Sequence, residues 1–185
     1  MGAAVIDACV LYSAPLRDLL MYLVDLYQPK WSAEIHDEWI RNVLHNRPDL
    51  KRAQLERTRE LMNAYGGDCL VTRYRQYVSK VTLPDPDDRH VVAVAIASKA
   101  GIIVTFNLSD FPVSALADHG IEAVHPDDFV LTLYQNAPER VLGLLRLHRS
   151  ALRNPPKTAS EYIDTLRASG LAKFADVIAP QGDAI

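Results

Sequence analysis

The sequence predicts an α/β fold: a short parallel sheet covered on both faces by helices. Three observations carry that expectation. The apolar runs Ala3 to Ile6 and Ile102 to Phe106 are continuous rather than alternating, the pattern of strands buried on both faces. Stretches between the strand-like runs carry apolar residues at the helical i, i+3, i+4, i+7 spacing. Strand and helix follow one another repeatedly, which implies right-handed crossovers within a parallel sheet.

The first run stops at Asp7, placing that acid at the carboxyl end of a strand. Ser13 and Pro15 suit a helix N-terminus, and Leu16, Leu19, Leu20, Leu23 and Tyr27 continue the apolar face until Pro29 closes it. A brief Lys30-Trp31 strand follows. Ser32 is placed to cap a second helix, whose apolar members are Ile35, Trp39, Ile40, Val43 and Leu44 and which carries Glu34 and Glu38. Asp49 is placed to cap a third helix running to about Tyr65, with Gly66-Gly67 as its stop. Cys69 to Val78 reads as a short helix or strand ahead of the proline-rich loop Leu83-Pro84-Asp85-Pro86. Asp87 or Asp88 caps the strongly apolar helix Val91 to Ala100, ended by Gly101, and Asn107 and Asp110 lie just past the strand Ile102 to Phe106.

A small helix near Val113 to His119, a strand Glu122 to Val124, and helices after Pro126 and Pro138 complete the alternation. From about residue 136 the chain is wholly helical. Asn154-Pro155-Pro156 marks a joint before the last short helices, Thr158 to Ile178, and Pro180 to Ile185 reads as a frayed end. The expected division is a core of residues 1–135 and a helical C-terminal extension of residues 136–185.

The 185 residues suit one domain with a helical appendage, and 49% hydrophobic with 23% charged residues is ordinary globular composition. No apolar run approaches the roughly 18 residues of a membrane span, and no basic segment leads into a signal-type stretch, so a cytoplasmic protein without membrane association is expected. Cys9 and Cys69 lack ligand spacing and read as buried thiols rather than a disulfide or a zinc site. A net charge of −3 excludes a histone-like binder of nucleic acid while leaving room for local basic patches.

In open α/β sheets, sites form beyond the carboxyl ends of strands. Asp7, Asn107 and Asp110 fall there directly, and the starts of helices that follow strands bring Glu38 and Asp88 to the same edge. Each acid alone has a bland account: Asp7 as a turn residue, Glu38 as a solvated helix position, Asp88 as a cap. Together they make a set of oxygen donors suited to Mg2+ or Mn2+. Like charges at about 4 Å repel by about 1 kcal/mol even in bulk water, and a divalent cation offsets that repulsion. Such an ion activates water and stabilises a leaving oxygen in phosphodiester hydrolysis.

Several segments resemble the PIN-domain nucleases, especially the toxin ribonucleases of bacterial VapBC toxin–antitoxin pairs. Val5-Ile6-Asp7-Ala8-Cys9-Val10-Leu11 is similar to that family's first strand and first catalytic aspartate. Ser32 followed by Glu38 resembles its second acidic site. Asp88-Arg89-His90-Val91-Val92-Ala93, leading through Gly101 into Ile103-Val104-Thr105, resembles its third aspartate, helix and following strand. Thr105-Phe106-Asn107-Leu108-Ser109-Asp110-Phe111 resembles its Thr-x-Asp ending, except that Asn107 stands where the family has an aspartate. The resemblance covers about residues 3 to 130. It implies a PIN-like three-layer α/β/α core and Mg2+- or Mn2+-dependent endoribonuclease activity, with Asp7, Glu38, Asp88 and Asp110 as catalytic acids and Asp7, Asp88, Asp110 and Asn107 as metal ligands. It further implies an RNA substrate, a small antitoxin partner that places a basic side chain in the acidic site, and homodimers.

Two other readings stand beside this one. A haloacid-dehalogenase-like phosphatase also places an aspartate after its first strand but needs a second aspartate two residues on, where this chain has Cys9. A catalytically degenerate PIN fold that binds RNA or protein is motivated by Asn107 and the long helical tail. Arg146, Arg149 and Arg153 share a helical stripe, and Lys51, Arg52, Arg57 and Arg59 lie on the third helix. Either group is placed to track an RNA backbone or simply to face solvent. Arg41, Asn42 and His45, one turn past Glu38, face the same choice. The six histidines show no paired spacing for zinc or for a His-based ribonuclease and read as structural or surface residues.

Overall fold

A computed structural model describes residues 2–185. In chain order its elements begin with β1 (Ala3–Ile6), α1 (Ala8–Tyr12), α2 (Ala14–Tyr22), β2 (Gln28–Lys30), α3 (Ala33–Asn46), α4 (Arg52–Tyr65) and α5 (Arg75–Val78). They continue with α6 (Arg89–Ser98), β3 (Ile102–Val104), α7 (Val113–Leu116), β4 (Glu122–Val124), α8 (Pro126–Asn136), α9 (Pro138–Ala151), α10 (Ala159–Ala168) and α11 (Ala172–Ile178). The four strands form one parallel sheet in the order β2-β1-β3-β4, as the α/β expectation requires.

Packing sorts these elements into two compact units. One comprises the chain up to Tyr12 together with Tyr27–His125; the other comprises Ser13–Leu26 and Pro126–Ile185. The expected boundary at 135/136 differs from this division by α8 and by the segment holding α2, because a helix is assigned by what its apolar face packs on, not by its place in the chain.

In the sheet unit, Ala4, Val5, Ile6, Ile103 and Val104 are all buried. The continuous apolar runs have that cause: both faces of the central strands are covered. Register sets Val5 opposite Ile103 and Ile6 opposite Val104. The apolar helix α6 packs on β1 and β3 and buries Val91 through Ala95. Helix α3 packs on α1 and α4, burying Ile35, Trp39, Ile40 and Val43, and Ser32 Oγ caps it by accepting from Ile35 N at 3.2 Å.

Four local expectations are corrected. The first long helix stops at Tyr22, so Tyr27 lies outside it, and Pro29 sits within β2 instead of closing a helix. That strand is the edge of the sheet, where the missing N–H of proline costs no ladder bond. Asp49 caps nothing, because Arg47 holds its carboxylate at 2.8 and 2.7 Å. Helix α4 instead starts after Lys51, whose N–H donates to Gln54 Oε1. Helix α6 ends at Lys99, which adopts the left-handed conformation at φ 55°, rather than at Gly101. The segment Pro180 to Ile185 is not frayed: Arg146 Nε donates to the Ala184 carbonyl and Arg149 Nε to the Ile185 carbonyl, and Ile185 is buried. Helix α1, directly after Asp7, has no counterpart in the sequence reading.

The helical unit is held by polar contacts between helices. Buried His148 of α9 lies 2.8 Å from Tyr162 Oη of α10 and 3.0 Å from Asp18 Oδ2 of α2. Thr158 and Glu161 form a capping box at the start of α10. Asp127, buried in α8, accepts from Lys173 N at 2.8 Å and Phe174 N at 2.9 Å, so one helix supplies the N-terminal cap of another. Among the described residues no helix is long and apolar enough to cross a membrane.

Replacing Asp127 by Ala strands those two N–H groups. The substitution is expected to cost about 1–3 kcal/mol, read as a lower urea midpoint at unchanged m-value. Asp127→Asn, which keeps one accepting oxygen, is expected to lose less.

Candidate active site

Asp7 follows β1 directly and is 4% exposed. Its Oδ2 accepts from Thr105 Oγ1 at 2.7 Å and from the Cys9 thiol at 3.1 Å, while Oδ1 accepts from Ala8 N at 2.6 Å. The Asp7 carbonyl accepts from Val10 N and Leu11 N, so the same residue opens α1. Burial pushes its carboxyl above the usual range, Glu38 adds to that rise, and the hydrogen bonds oppose it.

Asp88 closes the 3-10 turn Pro86–Asp88 and stands immediately before α6. Its carboxyl is pushed up to about 6, first by burial and then by the charges of Asp7, Asp85, Asp110 and Glu38. Five acids drawn from β1, α3 and the loops flanking α6 and β3 therefore share one electrostatic neighbourhood. All four acids expected at the site are among them, and Asp85 joins them.

Glu38 is partly exposed on α3, and its Oε2 lies 3.5 Å from Nε2 of His90, which is buried in α6. Glu34 is engaged elsewhere, accepting from Tyr74 Oη at 2.7 Å. Asn107 is exposed; its N–H donates to Thr105 Oγ1 at 3.0 Å, and its carbonyl accepts from Asp110 N. Thr105 thus joins the turn that carries Asn107 and Asp110 to the Asp7 carboxylate. The sequence pattern names Thr105 as the start of a Thr-x-Asp ending, Cys9 as a buried thiol and His90 as a structural or surface residue, and predicts none of their contacts with the acids. The available signal was a polar residue inside an apolar run: Thr105 at the end of β3 and His90 in α6.

Cys9 is half-buried and Cys69 buried, both free. Burial, followed by the nearby Asp7 charge, pushes the Cys9 thiol up to about 12, so it acts as a hydrogen-bond donor rather than a nucleophile. The expected basic tracks are largely consumed by internal pairing. Arg52 meets Glu56, Arg57 meets Glu60, and Arg59 meets Asp37 and Glu56. Arg146 and Arg149 hold the C-terminal carbonyls.

The donor set is oxygen throughout, as a hard divalent cation requires. Among the described residues no three His, Cys, Asp or Glu side chains already enclose an ion position. The acids form an open, mutually repelling group, which suits Mg2+ or Mn2+ held through a few carboxylates with water completing the shell.

Residues 3–109 match the family model described as PIN domain, and residues 126–180 match the model described as VapC50 C-terminal domain. The second match begins where the helical unit resumes after the sheet unit. Over 83 residues the chain is 43% identical to a Mycobacterium tuberculosis protein described as "Putative ribonuclease VapC50". That match covers 43% of this chain and 47% of the relative, so it spans about half of the relative's length. No solved structure matches the chain.

The raised Asp88 carboxyl has a consequence for stability. Its folded value of about 6 lies above the ordinary 3.8, so the folded chain binds more protons between those values and is penalised at higher pH. Without divalent metal, Asp88→Asn is expected to melt above the wild type at pH 8, by about 2–4 °C per kcal/mol of repulsion removed. The gap should close as pH falls to about 4. Thermal melts followed by circular dichroism across this range check it; equal melting at pH 8 would show that Asp88 does not feel its neighbours.

Proposed function

The chain belongs to the PIN-domain family, and from that premise we propose that it is a metal-dependent endoribonuclease, the toxin of a toxin–antitoxin pair, acting through Asp7, Glu38, Asp88 and Asp110. The observation that supports this reading is the placement of Asp88, half-buried before α6, whose carboxyl is raised first by burial and then by the charges of Asp7, Asp85, Asp110 and Glu38 from separate elements. The likeness to a protein described as a putative ribonuclease supports RNA as the substrate class.

Asp7, Asp88 and Asp110 supply the negatively charged oxygens of the proposed metal site, and Asn107 supplies a neutral one. A Mg2+ or Mn2+ ion held by these residues would supply water activation and charge stabilisation for phosphodiester hydrolysis. The chain's own residues provide position. Thr105, Cys9 and the Ala8 N–H fix the Asp7 carboxylate from three directions, so it keeps one orientation as charge changes around it. Glu38 faces the group from α3 and completes the acidic edge. The acids also repel unpaired phosphate, so RNA is held productively only once cationic charge is present. The proposal extends to a small antitoxin that sets a basic side chain among these acids, to a homodimer and to a cytoplasmic location.

Asn107 favours a second reading, a degenerate PIN fold that binds RNA or protein without cutting, because it removes one charge from the place where the family has an acid. Direct measurement separates the two. The purified wild type is expected to cleave RNA with Mg2+ or Mn2+ and to lose activity with EDTA. Asp7→Asn and Asp88→Asn should each lower cleavage by about 100-fold or more, about 2.7 kcal/mol of barrier. RNA binding that survives both substitutions, with no Mn2+ uptake by the wild type, selects the binding module.

Asn107→Asp restores the missing charge and is expected to tighten Mn2+ binding by roughly fivefold, about 1 kcal/mol. The same change should lower the metal-free melting temperature. Calorimetric titration with Mn2+ reads the first effect, and unchanged affinity would mean the side chain does not reach the ion.

A further inference from the structure

Among the described residues, two buried side-chain nitrogens have no hydrogen-bond partner, Arg89 Nε and His90 Nδ1, and they belong to consecutive residues directly after Asp88. His90 is 8% exposed and lies on the helix whose other inward positions are Val91, Val92, Ala93, Val94 and Ala95. An unpaired buried nitrogen loses its hydration without a replacement partner, and an apolar residue of similar volume would avoid that cost. A polar side chain in this place needs a compensating role. The other ring nitrogen shows it: His90 Nε2 lies 3.5 Å from Glu38 Oε2, at the outer edge of hydrogen-bond range.

We infer that His90 is a positioning residue that holds Glu38 of α3 at the acidic edge through an Nε2–H donor, leaving Nδ1 as the unpaired nitrogen. This inference rests on the proposed metal-dependent nuclease reading. Its physical logic has three parts. Glu38 is the one member of the four acids that sits within a helix rather than at a strand end or in a turn, and it lies on an element separate from Asp7 and Asp88. A flexible glutamate among like charges swings toward solvent unless something with a donor holds it. His90 is two residues beyond Asp88, so a contact from His90 to Glu38 couples the α3 acid to the α6 acid through one rigid ring. Because Nε2 faces the carboxylate, the tautomer with hydrogen on Nε2 is the one that makes the contact. This is the outer-sphere arrangement in which a partner orients a catalytic carboxylate, and loss of such partners typically costs about 10–100-fold in metal affinity or activity.

The test compares two amides of similar polarity. His90→Gln places a donor near the former Nε2, within reach of Glu38, whereas His90→Asn places it near the former Nδ1, out of reach. Circular dichroism and melting confirm that both fold, and Mn2+ binding is read by electron paramagnetic resonance, alongside kcat and KM for RNA cleavage. The expected result is a kcat lowered by about 10-fold or more in His90→Asn, a clearly smaller loss in His90→Gln, little change in KM, and Mn2+ binding retained in both, because Glu38 is not among the proposed ligands. The double substitution His90→Asn with Glu38→Gln should cleave RNA no more slowly than Glu38→Gln alone, because the ring acts only through that carboxylate. Wild-type binding with equal losses in the two amide variants, or with additive losses in the double variant, overturns the role of His90 and leaves the nuclease reading standing. Absence of Mn2+ binding by the wild type overturns both.

Discussion

A single hydrogen bond, from the Thr105 hydroxyl to the Asp7 carboxylate at 2.7 Å, joins residues 98 apart in the chain and fixes where the acidic edge is built. It exists because β1 and β3 are central neighbours in register, with Ile6 beside Val104, so that the residue after each strand lies beside its counterpart. Asp7 N donates to the Val104 carbonyl, and Thr105 N continues to the Val124 carbonyl. The backbone ladder therefore runs past the strands into the site. Thr105 accepts from Asn107 N with the same hydroxyl that donates to Asp7, which sets the turn leading to Asp110. One buried hydroxyl thus links an acid on one strand with the turn after another.

The parallel topology supplies the remaining acids. Each right-handed crossover returns the chain to the opposite end of the sheet, so the carboxyl ends of all strands, and the helices that begin there, share an edge. Burying carboxylates there, and then concentrating them, works against folding: burial first and neighbouring charge second raise the Asp7 and Asp88 carboxyls. The opposing contribution is apolar: β1, β3, α3 and α6 bury nearly all their inward side chains. A site that is destabilised in itself and tolerated by a well-packed scaffold is the usual balance between stability and function. Under the proposed reading, an incoming cation would meet charges already gathered, rather than having to assemble them.

Much of this was legible in the sequence, and the limits have a physical pattern. Buried strands such as Ile102–Val104 announce themselves because continuous β-branched runs have few other uses, and Glu122–Val124 was read with the same bounds. Asp7 and Asp110 stood out because they follow such strands and Asp88 because it precedes the apolar helix α6, whereas Glu38, inside α3, stood out through the family pattern. What stayed hidden were choices settled by a partner distant in the chain or by competition between neighbours. Asp49 has the chemistry of a cap, yet Arg47 two residues away claims it. Asp127 looks like a first-turn acid of its own helix but caps α11, 46 and 47 residues later. Pro29 breaks helices in general, but on an edge strand it breaks nothing. Arg146 and Arg149 share a stripe that a nucleic acid could follow, and the chain's own terminal carbonyls occupy them.

The charge inventory of the acidic edge follows from two residues that depart from a purely carboxylate design. Asn107 stands where the resemblance places an acid, and His90 brings a ring nitrogen against Glu38. Both changes act in one direction on the metal-free chain: an amide removes a repelling charge, and a donor beside Glu38 offsets another. They differ once a cation is considered. The amide lowers the attraction for the ion outright, because a neutral oxygen binds a hard cation less strongly than a carboxylate. The imidazole leaves the carboxylate charge in place and restricts only its direction. Under the proposed metal-dependent reading, a site with these two departures would give up part of its raw affinity and keep its geometry, and geometry is what in-line attack on a phosphodiester demands.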